Sequence, residues 1–237
     1  MSAVAWGITG ATPYLRETVE TVLELVAIMP VTLYISVAGE ELLEAHGLKK
    51  VLEEKIVGPY PTEVVYERME PRSFPKAARV WKKIYKVVVI APASMNTVSK
   101  IVHGIADSLV SNLAMHAIKT RTPLLVLPSD LEENRSKIPV FVDRDKCLSC
   151  PSCSAAEICP TGALSQHELF KVEVNPIKCA KCGLCLEVCP QGAVKLDYEV
   201  VYSPHPFYSG IINRLSEIEG VVIIKTPRDV VKYLWGK

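Results

Sequence analysis

Apolar positions follow two rhythms along this chain, and the switches between them lay out its elements. Residues 3–8 form an unbroken apolar run that closes in Gly7-Ile8-Thr9-Gly10-Ala11. Behind Pro13, apolar side chains recur at Leu15, Val19, Val22, Leu23 and Val26, the spacing of one helix face. Residues 31–37 are again apolar and β-branched, bounded by Ser36 and Gly39, and Glu40-Glu41-Leu42-Leu43 opens a second helix. Residues 53–74 carry Pro59, Pro61 and Pro71 and read as irregular apart from a short strand at 64–66. The basic stretch 76–83 reads as a helix whose Lys76, Arg79, Lys82 and Lys83 make a solvated face in preference to a docking patch, although an acidic electron carrier could use it. Residues 87–91 are a continuous apolar strand, as a parallel sheet covered on both sides requires. Pro92-Ala93-Ser94-Met95-Asn96-Thr97 follows, then a helix marked by Val98, Ile101, Val102 and Ile105. A further helix runs through Lys119, and a strand over 123–127 ends at Pro128-Ser129-Asp130. The same rhythm returns near the end, with a helix over 208–218, a strand over 221–224 and a short helix over 228–234.

Strand, turn and helix in alternation predict an α/β fold, a doubly wound parallel sheet of flavodoxin or Rossmann type in three layers. The turn after residue 8 sets backbone N–H groups where a phosphate can sit, although two glycines also suit a plain tight connection. Ser94, Asn96 and Thr97 stand at a strand's C-terminal end, where a ligand's polar edge binds in such sheets.

Between residues 143 and 199 both rhythms break, and all eight cysteines lie there. Cys179-x-x-Cys182-x-x-Cys185-x-x-x-Cys189-Pro190 is preceded by Cys147-x-x-Cys150-x-x-Cys153, five residues and Cys159-Pro160. The halves continue alike, as Cys159-Pro-Thr-Gly-Ala163 and Cys189-Pro-Gln-Gly-Ala193, which marks an internal duplication. Zinc ribbons use C-x-x-C pairs, but not a third cysteine at the same spacing with a Cys-Pro close. Disulfides would need an oxidising compartment, for which the chain gives no sign. The pattern points to two [4Fe–4S] clusters, each closed by the Cys-Pro of the other half. That assigns Cys147, Cys150, Cys153 and Cys189 to one, and Cys179, Cys182, Cys185 and Cys159 to the other. The stretch resembles bacterial-type two-cluster ferredoxins, with a longer spacing before Cys159. The expected organisation is a doubly wound domain over 1–142, a small α+β ferredoxin insertion over 143–199, and a C-terminal completion of the first domain over 200–237.

Composition narrows the function. A formal net charge of +1 exerts no long-range pull on nucleic acid or an anionic membrane. Apolar runs are too short to span a bilayer and the first residues carry no basic leader, so a cytoplasmic protein is expected. His46, His103, His116, His167 and His205 are scattered without ligand spacing and read as surface or satisfied core residues; Asp107 serves a helix cap as readily as a site.

With these residues in view, the large domain resembles the flavoprotein family of cysteine-peptide and phosphopantothenoylcysteine decarboxylases, prenyl-flavin synthases and archaeal flavoproteins. Gly7-Ile-Thr-Gly-Ala11 matches its first turn, Ser36 the hydroxyl closing its second strand, Pro92–Thr97 its Pro-Ala-Ser-Ala-Asn-Thr motif with one change, and Gly104-Ile-Ala-Asp107 the turn beyond. The resemblance implies FMN as cofactor, with Gly10, Ser36, Ser94, Asn96 and Thr97 as its contacts, and a homo-oligomer built from trimers. The decarboxylases' histidine is missing from residues 81–86, and Ser129-Asp130 stand where their substrate clamp would continue after Pro128. An FMN domain with a ferredoxin-type insert resembles instead the archaeal dihydromethanopterin reductases. This implies a dihydropterin substrate and reduced ferredoxin as donor. An electron-transfer module feeding a partner enzyme, or a flavin reductase of another unsaturated substrate, are the alternatives.

Overall fold

A computed structural model describes residues 2–147 and 150–236. By its internal contacts the chain parts into two units, Met1–Asn134 with Ser203–Lys237, and Arg135–Tyr202.

The first unit opens with β1 (Ala3–Ile8), α1 (Leu15–Val26), β2 (Val31–Ile35), α2 (Val37–Ala45), α3 (Lys49–Lys55) and β3 (Glu63–Tyr66). It continues through β4 (Tyr85–Ala93), α4 (Met95–Val102), α5 (Leu109–Thr120) and β5 (Leu124–Pro128). The second unit carries β6 (Asn134–Val142), α6 (Ser154–Ile158), β7 (Leu164–His167), β8 (Lys171–Val174), α7 (Leu184–Val188) and β9 (Val194–Tyr202). The chain then returns to the first unit as α8 (Pro206–Ser216), β10 (Val221–Ile223) and α9 (Asp229–Trp235).

Six strands pair in the order β10-β5-β4-β1-β2-β3, all parallel. Alternation along each strand splits the core into two layers, because successive side chains face opposite ways. Ala3, Ala5, Val88, Ile90, Leu124 and Val126 pack on one side with α4, α5 and α8. Val4, Trp6, Ile8, Val87, Val89, Leu125 and Leu127 pack on the other with α1, α3 and α9. This is the doubly wound sheet expected from the sequence. The order reverses direction between β1 and β4, and a crevice opens there, beyond the strands' carboxyl ends.

Several elements differ from expectation. The basic stretch is a short 3₁₀ turn, Ala77–Lys82, ended by Lys83 in the left-handed region (φ 54°). Lys76 is drawn to Glu70 (2.9 Å) and Arg79 to Glu63 (2.5 Å), so its cations are not simply a solvated face. The stretch expected to be irregular begins inside α3, whose Leu52 is wholly buried. α4 starts three residues early, at Met95, because Ser94 caps it. Among the described residues no helix is long and apolar enough to cross a membrane.

The second unit holds two small sheets, β6 with β9 and β7 with β8, around a core of Val140, Val142, Ala155, Leu164, Val172 and Val194.

In the first unit, α2 approaches β1 so closely that a Cβ on Gly39 would lie 2.8 Å from the Ile8 carbonyl oxygen. The backbone there cannot swing aside. Gly39→Ala is therefore expected to destabilise this unit by about 1–3 kcal/mol despite alanine's better helix propensity. Gly7→Ala, whose Cβ meets the movable tips of Ile90 and Val110, should cost less; chemical denaturation of both variants tests the ranking.

Candidate functional site

The crevice is built from three strand ends. Pairing between β1 and β4 runs as far as Gly7 opposite Ile90, and past it Thr9 takes over. Its hydroxyl donates to the Pro92 carbonyl (2.7 Å) and accepts the Ser94 N–H (2.7 Å), and its own N–H reaches the same carbonyl (3.3 Å). The loop after β4 is tied on its other flank by Ser129 N–H to the Ala93 carbonyl (2.9 Å). Gly10 sits against the first turn of α2, where a Cβ would lie 2.6 Å from that of Ala38. So the turns after β1, β2 and β4 meet at one edge.

Two serines start helices there. Ser36 accepts the Gly39 N–H (3.0 Å) at the head of α2, and Ser94 accepts the Thr97 N–H (3.4 Å) at the head of α4. A hydroxyl that accepts in this way keeps a proton to donate, and Ser94 and Thr97 oxygens lie 3.2 Å apart. Thr97 is buried and Asn96, beside it in the first turn, is exposed. First-turn N–H groups lack partners within their helix and carry the positive end of its dipole. Such N–H groups and neutral hydroxyls, with an exposed amide, suit a phosphate and a polar ring edge, which is what FMN presents.

Sequence reasoning overlooked Thr9 and Glu67. Burial pushes the Glu67 pKa up, against the pull of backbone N–H groups of Val37 and Leu109 at the heads of α2 and α5. Asp107 caps nothing: Ser108 heads α5, while Asp107 pairs with Lys100 (2.8 Å), whose hydrogen bond holds its carboxyl below the usual range. The histidines are structural. His116 Nδ1 accepts the Trp81 indole N–H (2.9 Å), His205 caps α8, and His103 contacts the Ser99 carbonyl (2.8 Å).

The second unit contains two cysteine-lined cavities. Cys147, Cys150, Cys153 and Cys189 line one, with Pro190 and Ala193. Cys159, Cys179, Cys182 and Cys185 line the other, with Pro160 and Ala163. Among the described residues no three Cys, His, Asp or Glu side chains converge as tightly as a single ion demands. Four cysteines gathered around each cavity suit a polynuclear cluster with thiolate ligands. Burial pushes the Cys147 and Cys185 thiols up. It does so at Cys159 as well, but hydrogen bonds from Leu164, Thr161 and Ala163 outweigh it and hold that thiol below its ordinary value. Around the first cavity, Gln166 grips the Cys153 backbone from both sides (3.3 and 3.2 Å), and Lys171 Nζ donates to the Cys150 carbonyl (3.0 Å).

Comparison with known proteins agrees with both units. The family described as Flavoprotein matches residues 2–133, and a 4Fe-4S dicluster domain matches 139–195. The dihydromethanopterin reductase (acceptor) of Methanosarcina mazei is 34% identical over 234 residues, 97% of each chain. That of Methanocaldococcus jannaschii is 34% identical over 235 residues, 97% of this chain and 94% of its own. Among solved structures, Burkholderia xenovorans DmrB in complex with FMN, described as a cubic protein cage for redox transfer, has a TM-score of 0.64 at 22% identity. That alignment covers 99% of this chain and 93% of DmrB, and shows a shared fold.

Thr9→Val should leave the Ser94 N–H without its partner and the Pro92 carbonyl with only the backbone N–H of residue 9, at a cost of about 1–3 kcal/mol, whereas Thr9→Ser retains both hydroxyl bonds. Equilibrium denaturation of the pair should separate them; equal stabilities would show that the hydroxyl does not tie the strands.

Proposed function

Because the chain belongs to the flavoprotein family and, over nearly its full length, to the dihydromethanopterin reductases (acceptor), we propose that it reduces dihydromethanopterin to the tetrahydro form with electrons from reduced ferredoxin. At the coarser level it is an iron–sulfur flavoprotein oxidoreductase, with FMN and two [4Fe–4S] clusters as cofactors. One observation carries the finer reading: a flavoprotein chain interrupted between β5 and α8 by two four-cysteine cavities. When bound, the clusters pass electrons singly, and FMN gathers two and supplies a hydride.

The chain's own residues have separable tasks. Gly10 and the heads of α1 and α2 would receive the flavin's phosphate. Ser36, Ser94 and Thr97 would donate to its polar groups, and Asn96, exposed in the first turn of α4, would meet the ring system or substrate beside it. Cys147, Cys150, Cys153 and Cys189 would hold one cluster, and Cys179, Cys182, Cys185 and Cys159 the other. The division into a flavin portion (1–142 and 200–237) and a cluster insertion (143–199) belongs to the same proposal. So does a homo-oligomer built from trimers, in line with the cage described for DmrB.

Anaerobically purified protein should hold about eight irons and eight acid-labile sulfides per chain. Cys189→Ser should remove about half of them, with the loss at the cluster of Cys147, Cys150 and Cys153 and the other cluster's spectrum retained; loss of the other one would overturn the crossed ligation. The chemically reduced protein should convert dihydromethanopterin stoichiometrically, and Asn96→Ala should abolish this or release FMN while iron content stays constant. If the fully loaded, reduced protein leaves the pterin untouched yet quickly reduces another protein, it is a carrier rather than a reductase.

A further inference from the structure

The second unit holds two large apolar side chains out in solvent. β7 and β8 pair antiparallel with His167 opposite Lys171, so Glu168, Leu169 and Phe170 form the turn between them. Leu169 is 83% exposed and Phe170 64%. The turn is nonetheless firmly braced. His167 Nδ1 accepts the N–H groups of Leu169 and Phe170 (3.2 Å each), and its ring lies 5.1 Å from that of Phe170. Arg144 donates to the carbonyls of Phe170 (2.9 Å) and Val172 (3.0 Å). Lys171 takes φ 60°, where glycine would be the unstrained choice, and its ammonium reaches the Cys150 carbonyl. Four hydrogen bonds and a strained lysine thus fix an apolar tip that buries nothing.

Beside the tip lies an open groove lined by Arg144, Cys147, Leu169, Phe170 and Lys171. Its lining has two cations and no acid, and Cys147 also lines the first cysteine cavity. Glu168 stands on the turn beside the anchors, but the groove's own charges are those of Arg144 and Lys171; apolar anchors beside a cationic groove suit a transient protein contact, in which charge guides the approach and the anchors set the register.

We propose that this groove is the port at which a small acidic electron-carrier protein docks, so that electrons enter at the cavity of Cys147, Cys150, Cys153 and Cys189. The inference rests on the ferredoxin-driven reading above and adds the place of entry. In each encounter the donor is oxidised by one electron and the group held by those cysteines is reduced by one; no bond forms or breaks, and no proton moves.

The test uses the loaded protein and an acidic two-cluster ferredoxin. Leu169→Ser/Phe170→Ser should weaken binding of the oxidised ferredoxin, measured by calorimetry, by about tenfold or more. Iron content and the rate of reduction by dithionite should not change. Glu168→Lys, an exposed change that cannot disturb the cavity, should tighten binding at low salt and lose its advantage as salt rises. Unchanged ferredoxin affinity in both variants overturns the port, as does a change in oligomer mass by light scattering, which would give the face to a second copy of the chain. If the variants lose ferredoxin affinity but the wild-type protein does not turn over dihydropterin, the port stands and the substrate assignment falls.

Discussion

The first unit depends on the closure Thr9 makes across the seam of its sheet. In a doubly wound sheet the windings leave β1 and β4 in opposite directions, and once regular pairing stops at Gly7 and Ile90 the backbone link that follows is a long one, from the Thr9 N–H to the Pro92 carbonyl (3.3 Å). The Thr9 hydroxyl spans the gap as donor to Pro92 and acceptor from Ser94. With the Ser94 backbone fixed, its side chain can head α4, and Asn96 and Thr97 follow at set positions in the first helical turn. The close approach of Gly39 to Ile8 and of Gly10 to Ala38 brings α2 to the same edge. One hydroxyl and two missing methyl groups therefore help three turns converge at one edge instead of merely following three strands.

The second unit solves a different problem. Its core is small, and each cysteine cavity takes three side chains from one repeat and its fourth from the other. Neither repeat can complete a cavity alone, so the duplication is kept as a pair. The cysteine loops are also supported from outside: Gln166 and Lys171, on the β7–β8 hairpin, bond to the backbones of Cys153 and Cys150.

Much of this was legible in the sequence, for identifiable reasons. Residues 87–91 announce a strand covered on both faces, since no polar side chain interrupts them, and the parallel order followed from strand–helix alternation. Each cavity is lined by the same four cysteines that the duplicated pattern had grouped on its likeness to two-cluster ferredoxins. Thr9 was hidden because its partners are backbone groups more than eighty residues away, and a threonine between glycines looks like turn filler. Glu67 lies in a proline-rich stretch without periodicity, and its role depends on two helix heads that only the folded sheet brings near. The 76–83 stretch misled because its cations suggested a solvated helix, whereas Glu63 and Glu70 draw two of them back to the protein.

β6 and β9 pair with each other, the Asp143 N–H bonding the Ala193 carbonyl at one end (2.8 Å) and Arg135 meeting Glu199 at the other (3.0 Å). Just outside them Ser203 donates to Glu133 (3.1 Å), so the chain departs from and re-enters the first unit almost at one point. An unstructured excursion of this length would burden folding of the host with the entropy of closing a large loop, although each doubling of length costs only about 0.6 kcal/mol. Here the excursion ties its own ends. To the host sheet it counts as little more than a tight turn between β5 and α8, which allows the two units to fold and to be exchanged in evolution as nearly independent parts.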